Sequence, residues 1–141
     1  MTEEVRSGVG EPPETINAQG QRMWRYLVGQ FDALGDPLSA LDRPVFTILC
    51  MAGGAAEEAW EDVHHRGVLV RGRSKDHSAD DDDGDPFMVK NPAEQVARQA
   101  TTQFIQLAKE FGMTPAARKR MAVELLKAKP QEEVDLAALI G

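Results

Sequence analysis

The segment Asn91-Pro92-Ala93-Glu94 constrains the local fold of this chain more tightly than any other short run. An asparagine oxygen can accept a first-turn amide. Proline at the first helical position loses no needed donor, and a glutamate three residues after the asparagine completes a capping box. A helix must start there. Val96, Ala100, Phe104, Leu107 and Phe111 continue it as an apolar stripe, and Gly112 supplies its stop. Thr114-Pro115 restarts a helix by the same logic, through Arg118, Met121, Leu125 and Leu126, after a very short turn.

The same punctuation organises the upstream half. From Asn17, Met23, Leu27, Phe31 and Leu34 recur at helical spacing, flanked by Trp24 and Val28, until Gly35-Asp36-Pro37 closes the helix. Ser39 or Asp42 can cap a second helix, with Pro44 tolerated in its first turn. That helix runs through Val45, Ile48, Leu49, Ala52, Ala56, Ala59, Trp60 and Val63 to Gly67. Gly53 and Gly54 inside it cost about 1 kcal/mol each against alanine, which points to a close neighbouring helix, a subunit contact or a bend. Residues 68–71 and 86–90 are short and β-prone enough to pair as a ribbon. The expected architecture is mainly α, with about four helices and a small β-ribbon between helices two and three. A helical domain over 16–129 lies between a disordered arm, 1–15, and a tail, 130–141. Within it 72–85 is a mobile acidic loop, because the four like charges Asp80 to Asp83 repel and extend.

Charge and cysteine usage narrow the function classes. Hydrophobic residues at 42% and charged ones at 28% suit a globular protein and exclude a wholly disordered one. Cys50 is the only cysteine, so no intramolecular disulfide can form. Its apolar neighbours mark it as a core residue. No apolar run approaches the roughly 20 residues that cross a bilayer, and the polar, acidic N-terminus does not read as a secretion signal; no membrane association is expected. The net charge of −7 hides an asymmetry: residues 98–129 hold seven basic side chains against two acidic ones, a local +5, so the remainder carries −12. One basic surface on an acidic body is the simplest arrangement.

The run Val89-Lys90-Asn91-Pro92-Ala93, continuing as a helix into Phe111-Gly112-Met113-Thr114-Pro115-Ala116-Ala117-Arg118, resembles the signature segment of a phage terminase small-subunit family. Trp24 in the first helix, Leu41-Asp42-Arg43-Pro44 opening the second, and Gly67-Val68-Leu69-Val70 before a variable loop extend the resemblance over about 17–127. The run Asp80 to Asp85 departs from the family pattern. The resemblance implies a non-catalytic protein that binds double-stranded viral DNA and regulates or recruits the large ATPase and nuclease subunit for packaging. It implies a ring-like homo-oligomer, acting in the cytoplasm of the infected bacterial host and absent from the mature virion, with no cofactor.

Candidate site residues emerge from charge and exposure. Arg118, Lys119 and Arg120, with Lys109, Lys127 and Arg98, form a basic cluster suited to phosphate contact, and the third and fourth helices with their short turn suit a helix-turn-helix. As a bland alternative the same cations are a solvated helix end. Arg22 and Arg25 on the first helix are a competing DNA surface. Leu136, Leu139 and Ile140 in the tail are candidates for contact with the large subunit. The aspartate run fails the calcium-loop pattern, since Gly84 at its sixth place puts Ala79 first and Lys90 last. Glu61 with His64 or His65 lacks a second matching motif, so both features read as solvated charge and no metal is assigned. Trp24 and Trp60 adjoin apolar stripes and read as core or interface anchors rather than base-stacking platforms. No nucleophile-base pairing, phosphate loop or zinc spacing is present. Rival functions are a dimeric helix-turn-helix regulator reading a palindrome, a phage head or tail assembly adaptor, and a carboxylate metalloenzyme.

Overall fold

The structure is a computed structural model that describes residues 7–72 and 87–128. In chain order the elements are α1 (Ala18–Ala33), a 3-10 turn (Ala40–Asp42), α2 (Arg43–Arg66), β1 (Leu69–Arg71), β2 (Met88–Lys90), α3 (Pro92–Glu110) and α4 (Pro115–Ala128). The chain is mainly helical, as the periodicity requires. β1 and β2 form a two-stranded antiparallel sheet with Val70 opposite Val89. Two compact units make up the chain, Met1–Phe104 and Ile105–Gly141.

In the first unit, Asn17 caps α1 by accepting from the Gly20 amide at 2.8 Å. At the other end Gly35, at φ +75°, turns the chain out of the helix. The Asp36 and Gly35 amides return to the carbonyls of Phe31 and Asp32 at 3.0 and 3.1 Å, a Schellman arrangement that satisfies orphaned acceptors. Ser39 and Asp42 close the 3-10 turn, the Ser39 amide donating to Asp42 Oδ2 at 2.8 Å, and α2 starts immediately with Pro44 in its first turn.

The α1–α2 crossing explains the glycines inside α2. A Cβ on Gly54 would lie 2.6 Å from the Gly20 amide nitrogen and 2.8 Å from its Cα, and a Cβ on Gly20 would lie 2.6 Å from the Cys50 carbonyl oxygen. The close neighbour at Gly54 is therefore a helix of the same chain; no subunit contact is needed to account for it. The core sits along this crossing, with Trp24, Phe46, Leu49 and Cys50 fully buried and the Trp24 and Phe46 rings 4.5 Å apart. Burial pushes the Cys50 thiol up to about 12.

Three expectations are corrected. First, residues 7–15 of the expected disordered arm are packed. Val9 is buried, the Gly8 amide donates to Leu38 O at 2.7 Å, and the Trp24 indole donates to Gly10 O at 2.9 Å. Arg43 Nη1 donates to the carbonyls of Val9 and Glu11. The segment holds few apolar side chains, but a buried tryptophan needs an acceptor and these backbone carbonyls provide one. Second, the expected stripes are buried only in part: Leu49, Ala52, Ala56 and Ala59 on α2 and Ala100 on α3 are buried as expected, but other positions are not. Val45, Ile48 and Trp60 are exposed while Phe46 and Cys50 are buried, and on α3 Val96 is exposed while Ala97 is buried. Both helices carry more apolar residues than one stripe can hold, so neighbours such as Val45 and Phe46 compete for the inner face and packing decides between them. Third, Glu94 does not complete a capping box, because the Asn91 amide is already donated to Val68 O at 2.7 Å. The acidic loop and the tail lie almost wholly outside the described residues.

Asn91 is fully buried at the junction of α2, the β-sheet and α3. Its Oδ1 accepts from the Ala93 amide at 3.0 Å, and its Nδ2 donates to Asp62 Oδ1 and to Gly67 O, both at 2.9 Å. Asn91→Asp keeps the accepting oxygen but sets a second acceptor against Asp62 and Gly67. It is expected to lower unfolding free energy by roughly 2–3 kcal/mol, measured by urea denaturation. A loss under about 0.5 kcal/mol, the range of an inconsequential surface change, would show that the amide donor contributes nothing.

Candidate nucleic-acid interface

In the second unit α3 ends and α4 begins around a four-residue corner, 111–114. Gly112 takes φ +66°, and the amides of Met113 and Gly112 return to the carbonyls of Ala108 and Lys109 at 3.0 and 3.1 Å. Thr114 Oγ1 then accepts from the Ala117 amide at 3.1 Å and starts α4. A Cβ on Gly112 would sit 3.2 Å from Met121 Sδ, so the corner is closely filled as well as left-handed. Ala108 and Ala117, on either side of it, are buried. The sequence Gly112-Met113-Thr114-Pro115 thus fixes both a helix stop and a helix start within one turn of chain.

Arg118, Lys119 and Arg120 lie within the first two turns of α4 and are all exposed, as are Lys109 and Lys127. Among the described residues none of these five pairs with a carboxylate. Arg118 Nη1 donates to Gly112 O at 3.2 Å, which tethers it to the corner, whereas among the described residues Lys119 and Arg120 carry no such bond. Early in a helix, unpaired amides and the macrodipole add to the attraction for an anion.

The remaining candidate cations belong to the first unit, and two of them are engaged there. Arg98 pairs with the buried Glu94 carboxylate, which also faces Lys90 Nζ at 3.1 Å. Arg25 lies 3.8 Å from Glu11, and Arg22 is exposed without a carboxylate partner among the described residues. Leu136, Leu139 and Ile140 lie outside the described residues.

Periodicity gave no sign of an open cavity of about 490 Å³ on the first unit, lined on its apolar side by Met23, Gly53, Ala56, Trp60 and Phe104. Glu57, Glu61, His64 and Thr101 supply its polar lining. Trp60 is 41% exposed and its indole donates to Thr101 Oγ1 at 2.9 Å, so it stands at an opening rather than in the core. The one linear hint was Gly53 on α2, where a Cβ would run into the Met23 side chain, so the glycine admits a neighbouring side chain beside which the cavity opens. His64 and His65 stack edge to face at 5.3 Å, and no group of three or more His, Cys, Asp or Glu able to hold a metal gathers among the described residues. No helix among them is long and apolar enough to cross a membrane.

Fold and corner together define a small, mainly helical protein that presents its basic charge on an exposed helix instead of enclosing it in a cleft. A family model described as "Phage terminase, small subunit" matches residues 20–127. The chain belongs to that family, which ties it to phage DNA packaging. No curated protein and no solved structure gives a match.

Two carboxylates beside α3, Glu94 and Asp62, make stability depend on pH. The Lys90 ammonium, with a smaller contribution from Arg98, holds Glu94 below the usual carboxylate range against the opposing effect of its burial. Hydrogen bonds from Arg66 and Asn91 hold Asp62 down in the same way. Both folded-state values lie below the unfolded ones, so the unfolded chain binds more protons in acid. Their stabilisation is complete above the ordinary carboxylate range and is lost as pH falls through the lower folded-state values. Urea midpoints should therefore drop between neutral pH and about pH 3, and Glu94→Gln should lower the neutral value while shrinking the acid loss. An acid loss equal to wild type would remove Glu94 from this account.

Proposed function

We propose that this chain is the non-catalytic, DNA-recognising subunit of a phage packaging terminase. It assembles as a homo-oligomeric ring in the infected host's cytoplasm, engages double-stranded viral DNA and hands it to the large subunit, where the ATPase and nuclease reside. The observation that carries the reading is the exposed basic run Arg118-Lys119-Arg120, which faces no carboxylate among the described residues, directly after a tight helix corner and within the span matched by the family.

A helix, a short glycine-containing turn and a second helix are the parts of a helix-turn-helix, and α4 is the helix that presents cations to phosphates. Arg120 is the principal contact, with Lys109 and Lys127 extending the surface and Lys119 adding charge beside it. Arg118 both braces the corner and adds charge. Arg22 is a secondary contact, while Arg25 and Arg98 contribute less because each faces a carboxylate. One such patch is weak, and a ring that repeats it around a duplex converts weak contacts into useful avidity. A net charge of −7 favours the same design, since an acidic body repels DNA everywhere except at the patch.

Double-stranded DNA binding followed by fluorescence anisotropy across a salt series tests the contact. Affinity should fall steeply with salt, and Lys109→Ala/Arg120→Ala should weaken binding on every sequence. It should also flatten the slope of log affinity against log salt by about 2 per protomer engaged. A slope unchanged by the double substitution would place DNA elsewhere. Contact with the large subunit is assigned to Leu136, Leu139 and Ile140. Removing 134–141 should abolish stimulation of the large subunit's ATPase while leaving assembly intact; unchanged stimulation would exclude the tail.

A further inference from the structure

We propose that the cavity on α2 of one copy receives α4 of a second copy, a head-to-tail contact that rests on the homo-oligomeric reading above and gives it a specific surface. The two surfaces are incomplete in complementary ways. On α4, Val123 and Leu126 lie three residues apart and Lys119 four before Val123, so the three share one helix face. Val123 and Leu126 are 49% and 57% exposed, and Lys119 is exposed with no carboxylate partner among the described residues. The cavity has the opposite character. Its walls are apolar around Gly53, Ala56 and Trp60, and Glu57 and Glu61 at its edge have no cationic partner among the described residues.

Charge decides in favour of a second copy of this chain. The acidic residues next to the cavity are already divided by use: Glu58 accepts from Asn17, and Asp62 accepts from Arg66 and Asn91. Glu61 takes only a long bond from the neutral Gln19 amide at 3.4 Å, so Glu57 and Glu61, which both line the cavity, remain to receive a cation beside an apolar anchor. A nucleic acid would be repelled by the same two carboxylates, and an acidic or purely apolar partner would leave them unanswered. A basic helix with two aliphatic side chains on one face fits, and α4 is such a helix. A cavity of about 490 Å³ has room for both aliphatic groups. Because cavity and helix are different surfaces, each copy offers one of each. The contact is heterologous and propagates until the rotation closes a ring. Arg120 points away from the Lys119 face by roughly a third of a turn and stays available to phosphate.

Native mass spectrometry on two variants of the full chain tests this. Leu126→Asp spoils the helix and keeps the cavity; Glu57→Lys/Glu61→Lys spoils the cavity and keeps the helix. All three positions are exposed, so folding should be retained, with circular dichroism as the check and Trp60→Ala as a second cavity variant. Wild type should assemble and each variant alone should be monomeric. An equimolar mixture of the two should form a heterodimer and nothing larger, since only one intact cavity-helix pair can form. A mixture that stays monomeric, or either variant assembling as wild type does, overturns the contact while leaving the homo-oligomer standing. A monomeric wild type overturns both.

Discussion

Helix α2 is gripped twice by asparagines that are capping other helices at the same time. Asn17 uses its oxygen to hold the first turn of α1, and its amide nitrogen donates to the Gly54 carbonyl at 3.0 Å and to Glu58 at 2.9 Å, both on α2. Asn91 repeats the device, its oxygen on the first turn of α3 and its nitrogen on Asp62 and Gly67 at the end of α2. An asparagine amide has a donor and an acceptor on one rigid plane, so one residue can start a helix and fix where that helix meets another. Aspartate could do the first task only, and serine or threonine has a single donor where each of these amides uses two. Buried donors and acceptors left without partners cost more than the bond itself contributes, which makes these two positions decisive for how α1 and α3 are set against α2.

The crossing of α1 and α2 is close because Gly20 and Gly54 face each other, and its tightness has a consequence further along the helix. Backbones that approach so closely leave little depth between them, so the core is built from a few flat or small groups: Trp24, Phe46, Leu49, Cys50 and a run of alanines. The remaining apolar residues of α2, among them Val45, Ile48 and Trp60, have no place in it and stay exposed. An apolar surface of this kind on a small domain is characteristic of a protein that works in an assembly. Membership of the terminase small-subunit family gives that observation a context.

Charge follows a comparable division of labour. The Glu94 carboxylate joins β2 to the start of α3 through Lys90 and Arg98, and Asp62, paired with Arg66, accepts from Asn91 and so ties α3 to the end of α2. The cations of α4 have no such employment among the described residues. This separates basic residues that stabilise the scaffold from those free to meet a phosphate or a partner's carboxylate, a distinction that composition alone could not draw.

Local chemistry made much of this legible. Helix starts at Asn17, Asn91 and Thr114 and stops at Gly35 and Gly112 are written in capping residues whose effect reaches only a turn along the chain, so the sequence determines them by itself. The basic run on α4 and its separation from the acidic body are likewise linear facts. Which face of α2 or α3 turns inward is different, because Phe46 and Val45, or Ala97 and Val96, are equally apolar neighbours and periodicity cannot choose between them. Glu94 could as readily have returned to the Asn91 amide, until Val68 took that donor. The ordering of residues 7–15 depended on an indole and a guanidinium that reach them from Trp24 and Arg43. The sequence settled the half of each asparagine that bonds within its own helix, since that partner lies two or three residues away. Only the tertiary structure settled the other half, because the nitrogen's partners lie 24 to 41 residues distant and come within reach only once the helices have packed.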